Sequence, residues 1–311
     1  MRTLTEWRAW LTTSAAFLVV VAVTVVATLP SVADAAPAQT VRPTGAQYTG
    51  PPVRVTIFGD SVASRVGLAM SLTSPQQGYD VDLDNGAIIG CGVLRSPEYL
   101  GHGVPEETVD ACNPDSPASQ QWPAQWTGDL KLFHPDVVAV LAGRWEVTDR
   151  MINGQWMHIG EPVFDALVKQ SLELAVKTAG STGALVVMMT APCYSSGEQP
   201  NGQPWPEDSL TRLAEYNAIL RQVAAEHPQT VEVNDFGALL CPGGQFETNI
   251  DGIQIRDADG VHVVPTAAAG AWLDAQLLPE LVRLGRLHMA GQNLSTASTT
   301  TTTGITATST P

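Results

Sequence analysis

One serine stands in a short motif that is typical of nucleophilic catalysis. Ser61 follows the apolar run of residues 53–58 and lies in the motif Gly59-Asp60-Ser61. A serine at a tight turn from strand to helix exposes its hydroxyl, and its own N–H faces the same space. This geometry suits attack on a carbonyl carbon and stabilisation of the resulting oxyanion. Because Asp and Ser are also common helix N-caps, the alternative for Ser61 is a capping role without chemistry.

A second motif, Asp259-Gly260-Val261-His262, lies in a polar loop shortly before the last apolar segment. Its outer residues are three apart, so both side chains can face the same way. Asp259 would accept from one imidazole nitrogen and fix the tautomer, while the other nitrogen would face Ser61. The alternative is a surface histidine, since the chain has six. The order of the two motifs favours a triad of Ser61, His262 and Asp259.

Alternating apolar segments predict the elements that must position these residues. Five strands are predicted at residues 53–58, 81–84, 136–141, 184–189 and 231–233. Helices are predicted at residues 62–72, 122–133, 163–176, 210–223 and 267–284. Strands that alternate with helices predict a parallel sheet with helices on both faces, where ligands bind at the carboxyl ends of the strands. Residues 53–288 are interpreted as one domain.

The N-terminus has the composition of an export signal. Arg2 and Arg8 supply positive charge, residues 15–28 are apolar, and residues 33–35 resemble a cleavage site. Residues 1–35 are therefore predicted to be a signal peptide. The alternative is an uncleaved signal anchor, but the apolar run is shorter than the roughly 20 residues of a spanning helix.

Two further segments have the composition of unstructured chain. Residues 36–52, rich in Pro and Ala, are interpreted as a linker, and residues 289–311 as a disordered tail rich in Ser and Thr. The protein is expected to be secreted or extracytoplasmic, with membrane anchoring by the N-terminal segment as the alternative. Its net charge of −15 argues against nucleic-acid binding, because an acidic chain repels phosphate backbones.

Four cysteines follow the predicted signal, at positions Cys91, Cys112, Cys193 and Cys241. An even number in an exported chain predicts two disulfides. Among the three possible pairings, Cys91 with Cys112 and Cys193 with Cys241 is favoured because each bond would join neighbouring loops. No pair has the CxxC spacing of zinc or thiol redox sites, so no metal or other cofactor is expected.

In their order along the chain, the two motifs resemble those of the SGNH (GDSL-like) hydrolase superfamily over roughly residues 53–288. The resemblance implies a flavodoxin-like three-layer α/β/α fold with a five-stranded parallel sheet. It also implies a Ser-His-Asp triad that acts on carboxylic esters. Residues 85–90 match the second block of the family, so the N–H groups of Ser61 and Gly90 would bind the oxyanion.

The third block departs from the family pattern. The family has Gly-x-Asn there, with the Asn side chain as an oxyanion donor, whereas this chain has Gly143-Arg144-Trp145-Glu146. Arg144 or the indole N–H of Trp145 is the candidate replacement donor. The alternative is that Trp145 packs in the core, and that only the N–H groups of Ser61 and Gly90 bind the oxyanion.

Further motifs narrow the resemblance to the SGNH domain often fused to acyltransferase-3 membrane proteins. These motifs are residues 90–92, 143–146, 191–193, 204–208 and 257–262. Such domains are implicated in moving or removing acyl groups, commonly acetyl, on cell-surface polysaccharides. The resemblance implies an exported serine esterase or O-acyltransferase whose partners are an acylated polysaccharide or small acyl ester and a membrane acyltransferase. The alternative is a weak or inactive glycan-binding envelope module, which the altered third block favours.

Overall fold

The computed structural model describes residues 51–291. The predicted signal at residues 1–35 lies outside the described residues, as do most of the predicted linker and tail. In chain order the elements are β1 (Val53–Gly59), α1 (Ser61–Ser71), α2 (Ser74–Gln77), β2 (Val81–Asn85), β3 (Glu98–Gly101), β4 (Val104–Glu107), α3 (Trp122–Phe133), β5 (Val137–Leu141), β6 (Arg150–Ile152), β7 (Gln155–Met157), α4 (Pro162–Ala179), β8 (Leu185–Met189), α5 (Leu210–Glu226), β9 (Val231–Asn234), α6 (Phe236–Leu240), β10 (Asn249–Ile250), β11 (Ile253–Gln254) and α7 (Ala267–Met289).

The main sheet has five parallel strands in the order β2-β1-β5-β8-β9. This is the flavodoxin-like order, so the predicted fold class is confirmed. The chain reverses its direction across the sheet after β2, and right-handed crossovers therefore place α1 on the face opposite α3, α4 and α5. The final helix, α7, packs against α1. The reversal point lies between β1 and β5, where the carboxyl ends of these strands leave a crevice for a ligand.

Strands β5 and β8 are buried along their whole length, because helices cover both faces of the sheet. Apolar runs of this kind are visible in the sequence, and all five strands of the main sheet were predicted. The smaller antiparallel sheet, in the order β4-β3-β6-β7, was not predicted. Its strands are three or four residues long, and β4 is exposed throughout, so they lack a marked apolar pattern.

The last helix is longer than predicted. The sequence pattern ends it at residue 284, whereas α7 continues to Met289, inside the stretch interpreted as tail. Basic residues in the last turn, Arg286 and His288, stabilise a helix C-terminus because they oppose the partial negative charge of its free carbonyls. Among the described residues, no helix is both long and apolar enough to cross a membrane.

A buried carboxyl group between α7 and the segment after α1 makes a stability prediction possible. Asp274 is fully buried, and its Oδ2 accepts a hydrogen bond of 2.6 Å from Thr73 Oγ1. Burial raises the pKa of Asp274 from 3.8 to about 6, although the bond from Thr73 opposes the rise. Since the folded pKa lies above the unfolded one, the protonated form stabilises the fold at low pH. That contribution is lost as the pH rises through about 6.

Replacing Asp274 with asparagine keeps an acceptor for Thr73 and removes the charge. We expect D274N to raise Tm by about 5 °C at pH 8 and to leave it nearly unchanged at pH 4. Thermal unfolding at the two pH values checks this. The matched control is D115N, at an exposed aspartate whose side chain makes no hydrogen bond within the described residues, and it should have no effect at either pH. An equal Tm for D274N and wild type at pH 8 would contradict the prediction.

Candidate active site

Ser61, His262 and Asp259 form one continuous chain of hydrogen bonds. Nε2 of His262 lies 2.7 Å from Ser61 Oγ, and Nδ1 lies 2.6 Å from Asp259 Oδ2. A carboxylate at Nδ1 holds the proton on that nitrogen, which leaves Nε2 free to accept the proton of the serine hydroxyl. The structure therefore brings together the three residues predicted from two motifs some 200 residues apart.

The end of β1 determines where Ser61 lies. Gly59 has a φ of +137°, and a Cβ there would come within 1.7 Å of the Leu141 carbonyl oxygen, so only glycine fits beside β5. Asp60 is the N-cap of α1, and its Oδ1 accepts from the Val62 N–H at 2.8 Å. Ser61 is thus the first helical residue, not the cap. Its N–H has no acceptor within the helix and is available to an oxyanion.

The loop that carries His262 is clamped by a buried arginine that sequence reasoning missed. The Nη2 of Arg256 donates to the Val261 carbonyl at 2.9 Å and to the Cys193 carbonyl at 3.0 Å. The guanidinium is fully buried and lies 4.8 Å above the Phe246 ring. Both acceptors are backbone carbonyls, and that of Cys193 is remote in sequence. No sequence motif therefore predicts that Arg256 holds this loop. Arg256 positions His262 through the residue before it.

A contact with Ser195 also holds the loop that carries His262 in place. Ser195 donates its N–H to the Gly260 carbonyl at 2.9 Å. Gly260 has a φ of +72°, and a Cβ there would lie 1.8 Å from the Ser195 carbonyl oxygen. The loop can approach this closely only because residue 260 is glycine.

Asp259 is held in the form that a triad requires. Its Oδ1 accepts from the N–H groups of Val261 and His262 at 2.8 and 2.9 Å. Burial by itself raises the pKa of Asp259, but these bonds and the one from the His262 ring bring the pKa below its ordinary value. Two further acids on the same stretch of chain, Asp257 and Asp251, bind the Ala258 N–H and the Trp272 indole instead.

Gly90 lies on a loop drawn towards the end of β1. The N–H of Ile88 donates to the Gly59 carbonyl at 2.8 Å, which brings this loop close to the turn that carries Ser61. Gly90 has a φ of +79°, a conformation that favours glycine. No hydrogen bond within the described residues uses its N–H, so this donor is free for a ligand.

The two candidate replacement donors of the third block, Arg144 and Trp145, do not offer a free N–H group to an oxyanion in this structure. The Arg144 guanidinium bonds to Asp208 Oδ1 at 2.7 Å and to the Glu207 carbonyl at 3.0 Å, and is thus engaged away from an oxyanion role. The indole N–H of Trp145 is shielded from solvent and has no partner within the described residues. The Trp145 ring packs edge-to-face against the Tyr99 ring, with the ring centroids 4.7 Å apart. A substrate oxygen can reach this N–H only if the side chain moves.

Glu146, in the same block, fixes the loop that carries Gly90. The carboxylate is fully buried, and its Oε1 accepts from the N–H groups of Val93 and Leu94 at 2.6 and 3.1 Å. Burial raises the pKa of Asp60 to about 7, and the charge of Glu146 adds to the rise. Two buried carboxyl groups, those of Asp60 and Glu146, are therefore near enough to interact, a feature that the sequence motifs did not predict.

The two disulfides support the two loops of the site. Cys91 is bonded to Cys112 and Cys193 to Cys241, with Cα–Cα distances of 5.4 and 6.1 Å. This is the pairing favoured from the sequence. The first bond follows Gly90 directly, and the second holds the segment on which the His262 loop rests.

Four of the eight tryptophans differ in their surroundings. Trp122 and Trp126 are fully buried in the core, whereas Trp205 stacks on His102 with ring centroids 4.9 Å apart and Trp156 is about one-third exposed. Within residues 51–291 no three His, Cys, Asp or Glu side chains are grouped as metal ligands.

Comparisons with known proteins give matches of structure only. No protein-family model matches the chain, and no curated protein matches it. One matching solved structure is a lipopolysaccharide acetyltransferase periplasmic domain of Salmonella ser. Paratyphi A, with 11 % identity and a TM-score of 0.47 over 74 % of this chain and 84 % of that one. A second is an aryl esterase of M. smegmatis, with 14 % identity and a TM-score of 0.43 over 74 % of this chain and 99 % of that one. A third is an SGNH hydrolase candidate of Slackia heliotrinireducens, with 19 % identity and a TM-score of 0.42 over 74 % of this chain and 98 % of that one. The likeness is one of fold. The functional assignment below therefore rests on the side chains of the site.

Proposed function

We propose that this protein is an extracytoplasmic serine esterase or O-acyltransferase of SGNH type that acts on acyl esters. The observation that carries the proposal is the hydrogen-bonded chain from Ser61 Oγ through His262 to Asp259 at the N-terminus of a helix. Such a chain activates a hydroxyl that is otherwise a weak nucleophile at neutral pH.

In the first half of the reaction, Ser61 Oγ attacks the acyl carbon while His262 Nε2 takes the hydroxyl proton. The N–H groups of Ser61 and Gly90 stabilise the oxyanion, and Asp259 stabilises the imidazolium. The C–O bond to the leaving group then breaks, and His262 protonates the departing alkoxide. The product is an acyl ester on Ser61.

In the second half, His262 deprotonates a water molecule or a sugar hydroxyl, which attacks the acyl carbon of the acyl-enzyme. The bond from this carbon to Ser61 Oγ then breaks, and His262 returns the proton to Ser61. Water releases a carboxylic acid, and a sugar hydroxyl releases a new ester. The site accommodates either acceptor, because it lies at the surface: the Asp259 and His262 side chains are 46 % and 24 % exposed.

Acyl esters of cell-envelope glycans, most simply acetyl esters, are the proposed substrates. Two disulfides favour an oxidising compartment, since thiols in the cytosol are kept reduced. A surface site suits a polymer whose chain extends beyond the reacting group. A membrane acyltransferase is the proposed partner that would supply or receive acyl groups.

The second candidate function is a catalytically weak or inactive module that binds glycan. Its support is Trp145, whose indole N–H is buried at the place where the family has an oxyanion donor. Removal of one such donor lowers kcat by about 10²–10³ in a serine hydrolase. Slow turnover by an otherwise complete triad is therefore compatible with this structure.

Labelling with a fluorophosphonate tests the proposal. The probe is expected to form a covalent adduct on Ser61, because only an activated serine attacks the phosphorus. Peptide mapping locates the adduct, and hydrolysis of 4-nitrophenyl acetate by the same preparation measures turnover. Labelling absent from Ser61, together with no hydrolysis above the buffer rate, would leave the binding module as the better description.

A further inference from the structure

A groove of about 660 Å³ lies beside the loop that carries the triad acid and base. Its lining includes Cys193, Tyr194, Ser195, Glu198, Asp208, Gln245 and Phe246. None of these was assigned a role from the sequence beyond the Cys193 disulfide and the motif at residues 204–208.

The groove adjoins the candidate active site through one residue. Ser195 lines it, and the backbone of Ser195 contacts Gly260. Gly260 is two residues before His262, and successive Cα atoms are about 3.8 Å apart, so their Cα atoms are at most about 7.6 Å apart. The groove therefore borders the loop that carries His262, and a ligand longer than the groove would extend along that loop.

The lining offers hydrogen-bonding groups that the protein itself does not use. The side chains of Ser195, Glu198 and Gln245 are exposed, and none of them makes a hydrogen bond within the described residues. Tyr194, which is buried, and the half-buried Phe246 also line the groove. A few free polar groups over an aromatic surface are what a hydroxyl-rich ring with one apolar face requires.

The charge of the lining selects against an anion. Glu198 is acidic and exposed, the charge of Asp208 is paired with Arg144, and the groove lining contains no Lys or Arg. The two nearby arginines do not line the groove: Arg144 pairs with Asp208, and Arg256 is fully buried, with its Nη2 bonded to two backbone carbonyls. An acidic or phosphorylated polymer would leave its charge unpaired here, whereas an uncharged sugar would not.

We propose that this groove is a subsite for an uncharged saccharide that carries the acyl ester, an inference that rests on the proposed esterase or acyltransferase function. The saccharide binds Ser195, Glu198 and Gln245 through its hydroxyl groups. Its acylated ring extends past Ser195 towards Ser61 and His262.

Steady-state kinetics on two kinds of substrate test the subsite. One is 4-nitrophenyl acetate, which fills only the acyl site. The others are O-acetylated oligosaccharides from xylan and glucomannan, which are uncharged, and from pectin, which are anionic. The double variant Glu198→Ala/Gln245→Ala is expected to raise KM for at least one uncharged oligosaccharide about tenfold, because two hydrogen bonds are lost. Its kinetics on 4-nitrophenyl acetate should change less than twofold.

Two further variants keep the result interpretable. Gln76→Ala, at an exposed glutamine on α2, is the matched control and should leave KM unchanged on every substrate. Gln245→Trp adds bulk to the groove and should raise KM for the same oligosaccharide if the double variant folds poorly. Unchanged KM in both groove variants, or preference of the wild type for the pectin fragments, would overturn the proposal.

Calorimetric titration separates failure of the subsite from failure of the proposed function. Ser61→Ala protein, which cannot turn over an ester by this mechanism, is titrated with unacetylated xylan and glucomannan oligosaccharides. Binding that is weakened about tenfold by the groove substitutions supports the subsite even if esterase activity is absent. No binding by any uncharged oligosaccharide overturns the subsite even if 4-nitrophenyl acetate is hydrolysed.

Discussion

Replacing Ser61 with alanine is expected to lower kcat for 4-nitrophenyl acetate by at least about 10³-fold, with little change in the fold. The reason is geometric: Ser61 Oγ is the hydroxyl within 2.7 Å of His262 Nε2, and alanine leaves the base without a nucleophile to activate. Helix α1 should persist because its cap is Asp60, which the substitution does not touch. Comparison of kcat, KM and Tm with those of the wild type measures the effect.

The matched control is Ser71→Ala, at the other end of the same helix. The Ser71 hydroxyl donates only to the Gly67 carbonyl at 2.7 Å, so its loss should leave kcat within twofold of wild type. Fluorophosphonate labelling should disappear in Ser61→Ala and persist in Ser71→Ala. Equal kcat in Ser61→Ala and wild type would show that the hydrolysis has another origin, and the esterase assignment would fall.

Replacing Gly260 with alanine is expected to lower kcat about 10²-fold although residue 260 contributes no side chain to the reaction. A Cβ there would lie 1.8 Å from the Ser195 carbonyl oxygen, so the loop must move away from Ser195. Displacement of a catalytic group by about 1 Å can reduce a rate by about 10². The displaced group is His262, two residues further along. We expect kcat to fall more than KM rises, because the acyl group of a small substrate is still bound.

Gly252→Ala separates this steric effect from backbone strain. Gly252 has a φ of +78°, close to the +72° of Gly260, but a Cβ there would meet no atom within 4 Å. Both substitutions therefore carry the strain of a left-handed alanine, about 1–2 kcal/mol, and only Gly260→Ala carries the clash. Tm should fall in both variants, and kcat only in Gly260→Ala. A similar kcat in the two variants would contradict the proposed role of the Ser195 contact.

Local sequence patterns were enough to predict the main strands and the site motifs of this protein. The three central strands of the main sheet, β1, β5 and β8, are largely apolar runs covered on both faces, and such runs can be recognised in the sequence alone. The turn at Gly59-Asp60-Ser61 and the spacing of Asp259 and His262 were readable for the same reason. Each motif is held together by its own backbone, through the Asp60 cap and the Asp259 bonds to adjacent N–H groups.

Only the tertiary structure decided which donors remain free and what holds the loops in place. Arg144 was a candidate oxyanion donor because of its place in the third block. Its guanidinium instead forms an ion pair with Asp208, which lies 64 residues away in sequence. Arg256 and Glu146 stabilise the His262 and Gly90 loops through backbone groups, which carry no residue-specific signal. A short-range motif can therefore place a nucleophile and a base, whereas long-range contacts with backbone atoms determine the shape of the site around them.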